Sequence, residues 1–271
     1  MKKLALLIIA LFSAVPVADA AETQSLSMSD NASVRLVTSG QRLADGTMWA
    51  GIDIAMPPDT NTYWRVPGET GVPLVMDWNQ SRNITDAEII WPMPRRVVKA
   101  GFTDYVYEGN TLFPVKLMMA GSDAVWRAHL TLGICNEICV PVSVDLEIAL
   151  NADQKDMASQ IRIQQALAET PLEEDADNVF AAPPEFDTIT NLMTIRLKTP
   201  LRDPASSIIA TADPSLVFAQ PLSFPDNSLQ FRLLSRTPER MTQQDQIDFL
   251  FDTSDGPYFV TSRFDIVGSD R

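Results

Sequence analysis

Trp126-Arg127-Ala128-His129-Leu130-Thr131-Leu132-Gly133-Ile134-Cys135-Asn136-Glu137-Ile138-Cys139-Val140-Pro141-Val142-Ser143-Val144-Asp145-Leu146-Glu147-Ile148 sets two runs of alternating apolar and polar residues on either side of a pair of cysteines. Period-two alternation is the pattern of a half-buried strand. A bond between the two sulfurs requires Cα atoms within roughly 4.4–6.8 Å, whereas five residues of one extended strand span about 13 Å. The segment between the runs must therefore fold back on itself. A three-residue hairpin tip at 136–138 would set Cys135 opposite Cys139. One helical turn is the other geometry that works, and Pro141 so soon after Cys139 counts against it.

Outward from this hairpin the same grammar continues. Short β-rich runs at 34–37, 48–54, 88–91, 105–107 and 115–119 are separated by turn residues, so 33–150 reads as an antiparallel β-sandwich. Residues 155–169 lack Gly and Pro, and Met157, Ile161, Ile163, Ala166 and Leu167 give an imperfect amphipathic helix. Residues 170–184 are acidic and Pro-rich, so 151–184 as a whole reads as a helix followed by a linker. Strand-like runs resume at 192–197, 207–210, 229–234 and 246–251, with turns at Asp203-Pro204, Asp213-Pro214, Pro225-Asp226 and Gly256-Pro257. The expectation for 185–271 is a second, smaller β-sandwich, and the fold class is all-β.

Composition narrows the function. The chain has 271 residues and a formal charge of -14, which repels phosphate backbones and argues against nucleic acid. The single histidine, His129, excludes sites with two or more His ligands, and two cysteines exclude a four-Cys zinc site. At the N-terminus, Met1-Lys2-Lys3 is basic, 4–17 is largely apolar, and Ala18-Asp19-Ala20 carries small residues where a signal peptidase reads. Residues 1–20 are thus expected to be a cleaved signal peptide and 21–32 a flexible lead-in. The expected product is a soluble protein in an oxidising, exported compartment, without stable membrane insertion, where two cysteines persist as a disulfide.

Two roles compete for that pair. As a staple it closes a loop of five residues, worth about 2 kcal/mol on chain-entropy grounds, and it pins nothing distant. A domain of this size buries enough core without it, which shifts the balance towards reversible exchange, two sulfurs taking up and giving up two electrons. Glu137 between the cysteines disfavours a thiolate, and the spacing is Cys-x3-Cys rather than Cys-x-x-Cys. A soft metal site from His129, the cysteines and Met118 or Met119 is a weaker alternative, and neither a metal nor an organic cofactor is expected. Asn31-Ala32-Ser33 and Asn83-Ile84-Thr85 match the glycosylation acceptor pattern, a three-residue signal of low specificity.

Four blocks, in order, resemble one family. Thr62-Tyr63-Trp64-Arg65-Val66-Pro67-Gly68-Glu69-Thr70-Gly71, Trp91-Pro92-Met93-Pro94-Arg95, Tyr105-Val106-Tyr107 with Leu112-Phe113-Pro114-Val115, and Cys135 to Pro141 are similar to segments of the N-terminal periplasmic domain of DsbD-type protein-disulfide reductases. The second β-rich region resembles, more faintly, the extra sandwich of ScsB-like members. The resemblance implies an immunoglobulin-like sandwich passing reducing equivalents in the periplasm. Its donor would be a thioredoxin-like domain or a membrane electron transporter of the DsbD/CcdA type, and its acceptors client protein disulfides, including those of cytochrome assembly. Cys139 would then form the mixed disulfides and Cys135 resolve them, with Phe102 and neighbouring Tyr105 as the aromatic cap over the bond. Tyr63, Trp64, Trp78 and Trp91 read as buried packing residues. The sequence departs from the family pattern in carrying no transmembrane bundle or thioredoxin-like domain, in its shorter cysteine spacing, and in Val142 where a second proline often stands. The rival expectation is a non-enzymatic exported binding module with a structural hairpin disulfide.

Overall fold

The structure, a computed structural model, describes residues 21–151, 155–213, 215–234, 241–242 and 245–268. The expected signal peptide lies outside the described residues. The N-terminal sandwich is built from β1 (Leu26–Ser27), β2 (Ser33–Arg42), β3 (Thr47–Ala55), β4 (Asn61–Gly68), β5 (Val75–Asp77), β6 (Ile84–Ile89), β7 (Arg95–Lys99), β8 (Phe102–Glu108), β9 (Thr111–Met119), β10 (Ala124–Cys135) and β11 (Cys139–Leu150). One sheet has the order β1-β2-β3-β9-β6 and the other β11-β10-β4-β8-β7, with β5 also paired to β10. The expected lead-in runs along the first sheet, Leu26 pairing with Val34 and Glu22 bridging Val37.

Alternation explains the core. On β10, Trp126, Ala128, Leu130, Leu132 and Ile134 point inward and are buried. They meet Leu36 of β2, Ile52 and Ile54 of β3 and Phe113, Val115 and Leu117 of β9. Outward-facing Arg127 and His129 pair with Glu147 and Asp145 of β11. Pairing of β10 with β11 is continuous from Ala124↔Leu150 to Cys135↔Cys139. The hairpin arrangement is therefore the one the chain adopts.

The helix forms where the sequence predicts one, as α1 (Met157–Ala168), capped by Asp156, whose carboxylate accepts from the Ala158 amide at 3.0 Å. It buries Ser159, Ile163 and Ala166, and Arg162 pairs with Asp53 of β3, which also binds Arg35. Met157 and Ile161, expected on the apolar face, are exposed. Ile161 and Ile163 are two residues apart and cannot share one helical face.

The expected linker is ordered. After α1 come β12 (Leu172–Glu173), α2 (Ala176–Val179) and β13 (Phe180–Asp187). Pro183 and Pro184 sit where β13 shifts register between Ala182 and Glu185, a position that tolerates residues without a backbone donor. Next come β14 (Leu192–Leu197), β15 (Ile208–Thr211), β16 (Leu222–Ser223), β17 (Ser228–Arg232), β18 (Ile247–Thr253), β19 (Gly256–Ser262) and β20 (Asp265–Val267). They form sheets of order β12-β19-β18-β15 and β16-β17-β14-β13-β20, with parallel pairs β12–β19 and β13–β20 among otherwise antiparallel ones.

β15 is buried on both faces. Ile209 points into the second core with Phe249 and Phe251, while Ile208, Ala210 and Leu250 join the first core. Arg65 of β4 bonds Asp248 of β18 at 2.7 Å, and its guanidinium lies over the rings of Trp64 and Phe259. The two sandwiches are thus packed together, not strung on a linker.

Candidate functional site

The disulfide Cys135–Cys139 closes the tip of the β10–β11 hairpin, with Cα atoms 4.1 Å apart. The two sulfur-bearing residues differ in surroundings. Cys135 is 3% exposed and packs with Tyr63, Val106 and Val97, because β10 continues inward to pair with Asn61 of β4. Cys139 opens the edge strand β11 and is exposed, beside Ile138, which is 75% exposed. Of the two sulfurs, Cys139 is therefore the one open to an incoming sulfur, and Cys135 is enclosed.

Tyr63 is the residue that reading the sequence as core packing missed. Its phenol oxygen lies 2.9 Å from Cys135 Sγ and 3.0 Å from Cys139 Sγ. Successive residues of β4 point to opposite faces, so Trp64 fills the core and Tyr63 turns to the disulfide. Gly68 to Gly71 make this possible. Gly68 has φ +92, a left-handed conformation that favours glycine, and a Cβ on Gly71 would overlap the Tyr63 ring. In place of a regular ladder, Glu69 accepts from the Thr103 amide at 2.6 Å and Asp104 accepts from the Thr70 amide at 2.9 Å. Burial, with the nearby Asp104 charge second, raises the Tyr63 pKa above its ordinary value, so the phenol keeps its proton. A phenol O–H donates weakly to a disulfide and more strongly to the thiolate formed when the bond opens.

The expected cap residues part company. Phe102 is 50% exposed at the β7–β8 turn, opposite Lys99, whose ammonium donates to the Asn136 carbonyl of the cysteine hairpin at 2.6 Å. Tyr105 is 1% exposed, stacks edge-on against Trp64, and donates to the Ile209 carbonyl at 3.2 Å. It belongs to the packed interior on the face of β8 away from the sulfurs and is not a mobile lid. His129 pairs with Asp145 at 2.7 Å, and the described residues hold no cluster of three or more His, Cys, Asp or Glu suited to a metal.

Tyr63→Phe removes one hydrogen bond to a developing charge. We expect it to raise the pKa of the buried thiol in the reduced protein by about one unit, equivalent to about 1.4 kcal/mol, and to slow reduction of the disulfide by a small thiol about threefold to tenfold. Thiol titration and stopped-flow reduction read both. Unchanged values would leave Tyr63 a packing residue only.

An immunoglobulin-like sandwich that presents a disulfide on an exposed hairpin edge, one sulfur open and one buried beneath a phenol, defines a thiol–disulfide exchange domain. Residues 33–151 match the family described as Thiol:disulfide interchange protein DsbD, N-terminal. The crystal structure of the N-terminal periplasmic domain of ScsB from Proteus mirabilis is similar with a TM-score of 0.70 and 22% identity, covering 90% of this chain and 98% of that one. It shares the fold across both sandwiches. The periplasmic chaperone SfaE, 7% identical over 85% of this chain and 99% of its own, has a TM-score of only 0.20 and carries no argument. No curated protein sequence matches the chain. No helix among the described residues is long and apolar enough to cross a membrane.

Proposed function

We propose that this protein is a periplasmic thiol–disulfide exchange protein that passes two electrons through Cys135 and Cys139, from a membrane-fed thioredoxin-like donor to client disulfides. The observation that carries the reading is the asymmetry of the pair: an exposed Cys139 joined to a buried Cys135 that is hydrogen-bonded by Tyr63.

In the loading half-reaction, a donor thiolate attacks Cys139 Sγ and the Cys135–Cys139 bond breaks. Cys135 leaves as a thiolate, which the Tyr63 O–H stabilises and which then takes a proton from solvent. The donor's second thiolate attacks the donor sulfur of the mixed disulfide, so the donor leaves oxidised and Cys139 is released. In the delivering half-reaction, Cys139 thiolate attacks one sulfur of a client disulfide and expels the other. Cys135 then attacks Cys139 Sγ, which re-forms the bond and frees the second client thiol. The Cys135–Cys139 couple carries both electrons, so no organic cofactor enters.

Localisation rests on the signal-like N-terminus and on the family that residues 33–151 match. The cap role stays with Phe102 in this proposal, supported by its exposure at the turn that reaches the cysteine hairpin.

The test is equilibration of the purified mature protein with glutathione and with a reduced thioredoxin-like protein. The expected result is one disulfide, reduced by dithiothreitol and by the protein donor. A potential below about -300 mV together with no reaction with the donor would mark a structural clip instead.

A further inference from the structure

We propose that the C-terminal sandwich sets the position of the β7–β8 hairpin over the disulfide, with Arg96 and Tyr105 as the positioning residues. The proposal builds on the exchange reading and assigns a task to the half of the chain that carries no cysteine.

Arg96 and Tyr105 are register partners across β7 and β8 and so share one face of the hairpin. That face meets the segment leading into β15. Arg96 donates to the Ala205 carbonyl at 3.2 Å and to the Ser207 carbonyl at 2.7 Å, and Tyr105 donates to the Ile209 carbonyl at 3.2 Å. Ala205 lies in a 3-10 turn at 204–206, and Ser207 and Ile209 follow it as the chain extends into β15. Among the described residues β15 ends its sheet, paired to β18 alone, and its other side receives side chains from the first sandwich.

The opposite face of β7 carries Val97 and Lys99. Val97 packs with Tyr63, Val106 and Cys135, and Lys99 reaches the Asn136 carbonyl. Three residues, about 10 Å of strand, therefore separate the grip of the second sandwich from the contact with the cysteine hairpin. β7 buries no residue of its own. Val98 is exposed at the tip, and a cleft of about 800 Å³ lined by Arg96, Val98, Ala205 and Ser206 lies beside the strand. Little but its ladder to β8 and these side-chain anchors holds it. Among the described residues Arg96 makes no ion pair, and its Nε is buried without a partner. A guanidinium held by carbonyls and an aromatic face is a poor stability device, whereas its forked donors fix orientation well.

Arg96→Met and Tyr105→Phe, made in the full mature chain, test the assignment. The readout is the rate at which dithiothreitol reduces the Cys135–Cys139 bond, alongside the equilibrium constant with glutathione. Each variant should be reduced at least threefold faster than the parent, with the equilibrium constant unchanged within twofold. Lys99→Met, at the far end of the same strand, should accelerate reduction likewise. Tyr105→Phe loses only a hydroxyl and keeps the test open if Arg96→Met fails to fold. Rates within twofold of the parent in both Tyr105→Phe and Lys99→Met would overturn the proposal. So would an equilibrium constant that moves by the same factor as the rate, since the disulfide itself would then have changed and not its accessibility. Dithiothreitol needs no protein partner. Acceleration in the variants, with the parent refused by every thioredoxin-like donor, would sink the exchange reading and leave this one standing.

Discussion

Cys139→Ser is expected to abolish exchange with protein donors and clients, a loss of at least about three orders of magnitude. Cys135→Ser should instead accumulate a covalent complex. The two differ because of where the sulfurs sit. With Cys139 replaced, the remaining thiol is buried against Tyr63, Val97 and Val106, and no partner sulfur reaches it. With Cys135 replaced, the exposed Cys139 still attacks a client disulfide, but no neighbouring thiol resolves the product. Non-reducing electrophoresis after incubation with an oxidised client distinguishes them. Equal trapping by both single variants would mean that both sulfurs are open to partners, and the assigned order of attack would be wrong.

Trp64→Ala is expected to cost about 3–5 kcal/mol, a large share of the 5–15 kcal/mol that a domain of this kind possesses. Trp64 is 1% exposed and sits where Tyr105 stacks edge-on and the Arg65 guanidinium lies over the ring. Its removal opens a cavity in the first core and takes away the platform for Arg65, which holds Asp248 of the second sandwich. Trp64→Phe should cost far less, under about 2 kcal/mol. It keeps most of the apolar volume and deletes an indole N–H that has no partner in the interior. Urea unfolding of the two variants provides the comparison, and equal losses would show that indole volume is not what this position requires.

The sequence yields the hairpin and hides its chemistry. Alternation on both sides of Cys135 and Cys139 was sufficient to place them across from one another, because strands flanking a three-residue gap have few ways to meet. The same rule, applied to β8, separates Phe102 from Tyr105: they stand three residues apart on a strand and so face opposite ways, which the expectation of a joint aromatic cap overlooked. Tyr63 was out of reach for a different reason. Its hydroxyl meets Cys135 across 72 residues of chain, through a register between β4 and β10 that no local pattern encodes. The strand that carries it ends in Pro67-Gly68, which reads as a break and not as a strand. Likewise the acidic stretch 170–184 looked like a linker by composition, and it is the pairing of β12 with β19 and of β13 with β14 that makes it part of two sheets.

β15 faces hydrophobic cores on both sides. The chain is therefore a poor source of interchangeable parts. A protein cut after residue 151 would set Trp64 and Tyr105 against water, and the remainder would do the same with Ile208, Ala210 and Leu250. Recombination could move the disulfide-bearing piece to another gene only together with its companion.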